Sequence, residues 1–563
     1  MPRLLECVPN FSEGRNRAVI DSIARAMGEV DQVKVLGVDP GASTNRTVIT
    51  IAGEPEAVIE AAFRGIKTAA ELIDMRKHTG EHPRMGATDV CPLIPIEGIS
   101  EDEAVELANQ LAQRVGEELG IPVYLYEAAA KSPERESLAE IRSGEYEGFA
   151  EKIYSPQWAP DYGPQEYNAK AGQTVIGVRK FLVAYNINLN TQSVKRANSV
   201  AFDIREKGRV KRVGNPITGE IVRDEAGNPV REPGMLKKVR AIGWFIEEYG
   251  FAQVSINLTD LDVSPLHKVF EAAEKSCYNR GLRITGSELV GLIPKKALVE
   301  AGKYFLERQN RSQGVDETTL IQVAVKSLGL DELGPFNPEE RVIEYALKQD
   351  EPAALTALSA RDFANEVARE SPAPGGGSVA ALVGSLGVAL GAMVANLSAN
   401  KRGWEERIPE FSRLAVDLQA IKDRLLELVD ADTDAYNAVM AAYRMPKSTE
   451  AEQTTRNKAI EAANQHAARV PLQIMETVNS AFPLMKSIVE EGNPNSITDG
   501  AVGTLALHAA LHGAALNVRI NLDGIETEEV KKELSTNVEE LTQRADEQKS
   551  DILSYVNFQM NAG

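Results

Sequence analysis

The sequence predicts a multidomain protein: two α+β ferredoxin-like subdomains of βαββαβ order, followed by an all-α helical-bundle domain. Three observations carry that expectation. Period-two hydrophobic runs alternate with amphipathic helical runs in the same six-element order twice over. Beyond Leu347 the helical period takes over and persists to the C-terminus. The chain, at 563 residues, also exceeds what a single hydrophobic core accommodates.

Residues 1–178 form the first predicted subdomain. Strands are expected at 4–8, 33–38, 47–52 and 90–96, and helices at 17–27 and 55–73. A further helix at 101–119 and a strand at 123–126 extend the unit. The stretch 156–173 is rich in Pro, Gly and aromatic residues and reads as an ordered loop. Residues 179–347 repeat the order, with strands at 181–189, 239–245, 252–258 and 282–285 and helices at 192–207 and 265–280. Alternation puts Asn186 with Asn188, and Ser255 with Asn257, on one face of each strand; such a polar face lines a cleft or meets solvent. An insertion at 208–233 carries two Gly-Asn turn pairs and reads as a surface hairpin.

A short polar linker, 348–354, leads into the helical domain, 355–563. Helices are expected at 408–443, 449–485, 498–517 and 528–557, with Pro471 and Pro483 kinking or breaking the second. Residues 379–397 carry no charge over a length that approaches a membrane span. Their Ala and Gly content, with Gly384, Gly387 and Gly391 at helical spacing, fits a helix buried in a bundle better. Ser378, after three glycines, is the expected N-cap.

Composition excludes some functions. Hydrophobic residues make up 43% and charged residues 26%, as in a soluble globular protein. A net charge of −20 argues against nucleic acid as the main partner, yet leaves room for a basic pocket that takes a small anion. Three cysteines give neither a disulfide framework nor metal-ligand spacing, and the N-terminus lacks the apolar run of a secretion signal. A reducing, cytoplasmic setting is expected.

Two residues stand out for chemistry. In GEHPRMGATDVCP, 80–92, His82 precedes a proline that keeps it out of a helix, between Glu81 and Arg84. An imidazole held in a turn suits proton transfer near neutral pH; the plainer alternative is a loop histidine bonded to a carbonyl. The second is Asp432. The stripe Leu418, Ile421, Leu425, Leu428, Asp432, Ala435, Val439 steps by three or four, which turns this carboxyl toward the core, away from Asp430 and Asp434. Burial would raise its pKa and suit it to acid/base work, or it could bond a neighbouring helix structurally. His508 and His512, one turn apart, could meet a metal from one helix face, but no third ligand stands near in sequence, so helix packing is the favoured reading and no metal is expected.

Longer motifs then speak together. ECVPNFSEG (6–14), DPGASTNRT (39–47), GEHPRMGATDVCP (80–92), WAPDYGP (158–164), RKFLVAYNINL (179–189) and LKKVRAIGW (236–244) lie in the first half. PAPGGGSVAAL (372–382) and VDADTDAY (429–436) lie in the second. With them the chain resembles the formimidoyltransferase-cyclodeaminase family over essentially its whole length; the 208–233 insertion is the departure. The resemblance implies a bifunctional folate enzyme of histidine degradation. The first half would transfer a formimino group from N-formimino-L-glutamate to N5 of tetrahydrofolate. The second would cyclise 5-formiminotetrahydrofolate to 5,10-methenyltetrahydrofolate and release ammonia.

The resemblance makes His82 the transferase's catalytic histidine, Gly163, Pro164, Gln165, Glu166, Tyr167, Asn168, Ala169, Lys170, Ala171 and Gly172 its folate-binding loop, and Asp432 the deaminase's catalytic aspartate. Asp39 and Glu81 are candidates to orient the imidazole, and Arg46 and Arg84 to clamp substrate carboxylates. Tetrahydrofolate, with or without a polyglutamate tail, is the co-substrate. A homo-oligomer is expected, and the resemblance implies a ring of dimers with folate polyglutamate passing between sites. Two alternatives stay open for the helical half: a methenyltetrahydrofolate cyclohydrolase, or a non-catalytic folate-binding or assembly module.

Overall fold

The computed structural model describes residues 3–562 apart from 43, 81–82, 215–218 and 349–353. The chain divides into two compact units, Met1–Ala297 with Leu328–Asp350, and Leu298–Ser327 with Glu351–Gly563.

In the first unit, strands β1 (Leu4–Cys7), β2 (Asn10–Phe11), β3 (Val33–Gly41), β4 (Arg46–Gly53), β5 (Thr88–Glu97), β6 (Val123–Glu127) and β7 (Thr174–Val178) build one sheet. Around Pro9 the first strand is interrupted, so β1 and β2 both lie between β4 and β5. The order is β3, β4, β1 with β2, β5, β7, β6; pairings are antiparallel except β5–β7 and β7–β6. Helices Arg17–Gly28, Pro55–Leu72 and Glu101–Leu119 cover one face. Alternation along β1 sends Leu5 and Cys7 into that helix-covered core, and Leu4 and Glu6 to the other face. Local chemistry fixes the helix starts. Glu54 accepts from the backbone N–H groups of Glu56 and Ala57, and Ser100 forms a capping box with Glu103.

The second sheet holds β8 (Val183–Leu189), β11 (Val239–Ile246), β12 (Phe251–Leu258) and β13 (Ile284–Val290) in the all-antiparallel order β11, β12, β8, β13. Helices Val194–Ile204 and Leu266–Tyr278 complete it. Of the polar residues expected on the strand faces, Asn188 is buried, donating to Glu332 at 2.9 Å and accepting from Gln253 at 2.8 Å, whereas Asn186 and Ser255 are half-buried and Asn257 is exposed. A two-stranded ribbon, β9 (Arg209–Val210) with β10 (Arg231–Glu232), closes the 208–233 insertion at its base.

The second unit packs helices Gly376–Ala399, Ile408–Arg444, Glu450–Glu491, Ile497–Leu522 and Glu528–Ala562 around one apolar core. Gly376–Ala399 is long and apolar enough to cross a membrane, but packs against three neighbouring helices. Its glycines permit this: a Cβ at Gly387 would press on the Gly503 carbonyl at 2.8 Å, backbone against backbone. Of the kink or break expected at Pro471 and Pro483, the break does not occur, since Glu450–Glu491 runs through both. Proline leaves the carbonyl four residues earlier without its N–H donor. For Pro471 that carbonyl belongs to Ala467, and Asn521 Nδ2 from the next helix occupies it at 2.7 Å.

Candidate active sites

In the first unit three motifs far apart in sequence converge. Ser12 donates its hydroxyl to the Gly86 carbonyl at 2.7 Å. Gly14 N–H donates to Asn45 Oδ1 at 3.0 Å, and Asn45 Nδ2 to the Thr79 carbonyl at 2.9 Å. His78 Nε2 meets the Asn45 carbonyl at 2.9 Å while Arg84 Nε donates to its Nδ1 at 3.3 Å, which fixes the imidazole as the Nε2–H tautomer. The sequence reading passed over His78; the signal available was a second imidazole four residues before His82. Glu81 and His82 themselves lie outside the described residues. Their neighbours on both sides are pinned, Gly80 against the backbone of Thr44 and Arg84 to Met85 against the following segments.

Loop 163–172 joins this cluster at its far end. Ala87 N–H donates to the Ala171 carbonyl at 2.7 Å, and Gly86 bridges to Gly172. Gly172 has φ +70, and a Cβ there would overlap the Met85 carbonyl, so only glycine closes the loop this tightly. Asn168 shapes the turn, its Oδ1 accepting from Lys170 and Ala171 N–H at 3.2 and 2.9 Å. Gly163 to Glu166 remain exposed.

Beside these segments lies a cleft of about 770 Å³. Its cations are Arg46, Arg142, Arg179, Lys180, Lys238 and Arg240, facing only three carboxylates, Glu127, Glu136 and Asp260. Arg142 is committed to buried Asp89, and Lys180 reaches Asp260 and Asp262 at 3.3 and 3.1 Å. Burial holds the Arg46 guanidinium below its ordinary pKa, against the opposing pull of Asp89 and Asp39. Asp39 is exposed on β3. Arg84 binds Glu145 at 3.0 Å and Glu147 at 2.7 Å. Behind Arg179 sits Glu6, which the sequence reading did not single out. Burial raises its carboxyl to about 8, and Arg179 offsets this in part.

In the second unit the two remaining motifs meet. Asp432 Oδ2 accepts the Ser378 N–H at 2.8 Å and its hydroxyl at 3.1 Å. The carboxyl therefore stands at the N-terminus of Gly376–Ala399, where unpaired N–H groups favour negative charge. The N-cap is Gly375, three residues before the expected Ser378: Ser378 is the third helical residue, and its hydroxyl serves the aspartate instead of the helix end. A Cβ on Gly377 would overlap Asp432 Oδ1, so the glycine is required for the approach. Asn517 lies against Gly376 from the next helix. Burial raises the Asp432 pKa, opposed by the two Ser378 hydrogen bonds. Of the two neighbours expected to turn away, Asp434 is exposed, whereas Asp430 is half-buried like Asp432 and accepts the Leu355 N–H at 2.7 Å.

Known proteins decide the family. The chain matches the Formiminotransferase domain, N-terminal subdomain, over 4–179, the Formiminotransferase domain over 184–348, and Formiminotransferase-cyclodeaminase over 359–540. It is 42% identical to the formimidoyltransferase-cyclodeaminase of Rattus norvegicus across 98% of both chains. This chain belongs to the formimidoyltransferase-cyclodeaminase family. Its two parts also have separate relatives. A glutamate formimidoyltransferase of Streptococcus pyogenes is 41% identical over 54% of this chain and 94% of its own. A methenyltetrahydrofolate cyclohydrolase of Methylorubrum extorquens is 35% identical over 31% of this chain and 85% of its own. The family boundary near 348–359 falls where the sequence changes to helical period.

Proposed function

We propose that this enzyme performs two successive folate reactions, one in each unit. The first moves the formimino group of N-formimino-L-glutamate to N5 of tetrahydrofolate. The second closes the product to 5,10-methenyltetrahydrofolate and expels ammonia. We read each sheet as built on the ferredoxin-like split βαβ plan; the run β3, β4, β1, β5 within the first sheet and the order β11, β12, β8, β13 in the second support that reading.

In the transfer, N5 attacks the amidine-like carbon, and a base takes the N5 proton from the tetrahedral adduct. The same group then protonates the departing glutamate nitrogen. His82 is assigned that role, with Glu81 and Asp39 as its orienting carboxylates. Arg46, on the cleft wall one residue from the Asn45 anchor, is assigned a substrate carboxylate. Arg84 would have to exchange Glu145 and Glu147 for substrate, so it serves first to hold the 78–87 segment. The cationic cleft suits the carboxylates of both glutamyl substrates. Loop 163–172 is assigned to folate.

In the cyclisation, N10 attacks the formimino carbon, and Asp432 hands a proton to the leaving ammonia. The observation that carries this reading is the Asp432 carboxyl, raised by burial yet oriented by Ser378. A spectroscopic assay for methenyltetrahydrofolate from formiminoglutamate and tetrahydrofolate tests both steps. Likeness to the cyclohydrolase supports a second reading, in which the helical unit only hydrolyses methenyltetrahydrofolate; ammonia release from 5-formiminotetrahydrofolate separates the two.

We further read the enzyme as a cytoplasmic homo-oligomer, with a ring of dimers as the expected form. Exposed Leu386, Leu397, Leu516 and Ile520 on two adjacent helices support association. Light scattering of the purified protein tests it, and a monomer at all concentrations would contradict it.

A further inference from the structure

We propose that His508, His512 and Asp546 bind one divalent cation of the zinc class, clipping the last helix to the bundle. This is separate from both folate reactions and uses none of their residues.

The sequence supplies two of the three ligands. His508 and His512 lie one turn apart on Ile497–Leu522, so both imidazoles leave the same helix face, with ring centroids 4.3 Å apart. The third is absent from the local sequence and is brought by the fold. Asp546, on Glu528–Ala562, sets one oxygen, Oδ1, against His508 Nε2 at 2.6 Å and His512 Nε2 at 3.1 Å. One ligand atom from each residue falls within 4.8 Å of the others. Among the described residues it is the one such cluster of histidine, cysteine and carboxylate groups.

The geometry lies close to what a metal needs. A tetrahedral zinc site places nitrogen and carboxylate ligands about 2.0–2.2 Å from the ion, so ligand atoms stand roughly 3.3 Å apart. The His512 contact, at 3.1 Å, is almost there; the His508 contact, at 2.6 Å, must open by about 0.7 Å. Asp546 can give that room, since its side chain is 52% exposed. The same openness leaves a fourth position to water.

Charge points the same way. The recorded partners of the Asp546 carboxylate are the two imidazoles, with no lysine or arginine among them. Two imidazoles and one carboxylate make a typical donor set for zinc or its late first-row neighbours. An exposed His–Asp contact contributes little by itself to holding two helices together. A bound ion bridging them would stabilise the folded chain by mass action, since the unfolded chain has no assembled site.

The test uses the full-length protein, stripped with a chelator and dialysed, then titrated with Zn2+ against a competing chromophoric chelator at pH 7.5. One Zn2+ per chain is expected, with an upward shift of the helical unit's thermal transition. Losing an outer partner of a metal site costs about 10–100-fold in affinity, so His508→Ala, His512→Ala and Asp546→Ala should each cost at least tenfold. His512→Gln guards against a folding artefact, because it keeps a donor for Asp546 while losing the ligand nitrogen; it too should weaken binding. His466→Ala should leave binding unchanged. Absence of saturable one-to-one binding, or affinity unchanged from the parent chain in all three ligand variants, overturns the proposal.

Discussion

The two units solve one problem with different materials. In the transferase unit the candidate site is assembled from strand ends and irregular segments: residues 12–14, 44–46, 78–80, 84–87 and 171–173 are stitched by side-chain-to-backbone and backbone hydrogen bonds. In the deaminase unit two helices suffice, a glycine-rich N-terminus and the carboxyl that approaches it. The first is a broad cationic cleft; the second is a close contact between a half-buried carboxyl and a helix N-terminus.

That contrast can be broken. His82→Ala should lower formimino transfer by about 10²–10⁴-fold, the usual worth of a general acid/base, and leave deamination of supplied 5-formiminotetrahydrofolate at its normal rate. Parallel loss of both rates would mean that the units do not divide the chemistry. Arg46→Ala should act next most strongly, and only on the transferase. Losing a charged hydrogen bond of about 1.5–3 kcal/mol should raise KM for formiminoglutamate by roughly 10–100-fold. A change confined to kcat would move Arg46 from binding to chemistry.

Glu6 sharpens the comparison on stability. Its folded carboxyl titrates at about 8 instead of 4.5, so the folded chain keeps a proton that the unfolded chain releases between those values. Stability therefore falls as pH rises through that window, by at most about 1.4 kcal/mol per pH unit, and levels off above it. Glu6→Gln should flatten that slope in calorimetric scans of the transferase unit. A slope identical to that of the parent chain would show that Glu6 ionises freely.

The helical half was largely legible because its period is informative over long stretches. Asp432 could be turned toward the core by counting from Leu418, and the structure puts it there against Ser378. What counting could not give was the partner: Ser378 lies 54 positions earlier. The absence of a break at Pro471 has the same origin, since Asn521 Nδ2, which donates to the orphaned Ala467 carbonyl, comes from another helix. Asp546 was invisible for that reason too. In the transferase half, alternation gave the strands, and the order β1, helix, β3, β4, helix, β5 is the expected one. Its site was legible only as motifs, because convergence through Asn45 and Gly172 depends on side-chain and left-handed backbone geometry that periodicity does not encode. Glu6 could have been found by asking why a carboxylate stands between Leu5 and Cys7 in a buried strand.

The most direct test of divided chemistry is Asp432→Asn, assayed with formiminoglutamate and tetrahydrofolate while both ammonia and methenyltetrahydrofolate are followed. The amide keeps an acceptor for Ser378 but cannot deliver the proton. The account predicts normal consumption of formiminoglutamate, accumulation of 5-formiminotetrahydrofolate, and ammonia release slowed at least about 100-fold. Ammonia appearing at the parent rate would contradict it.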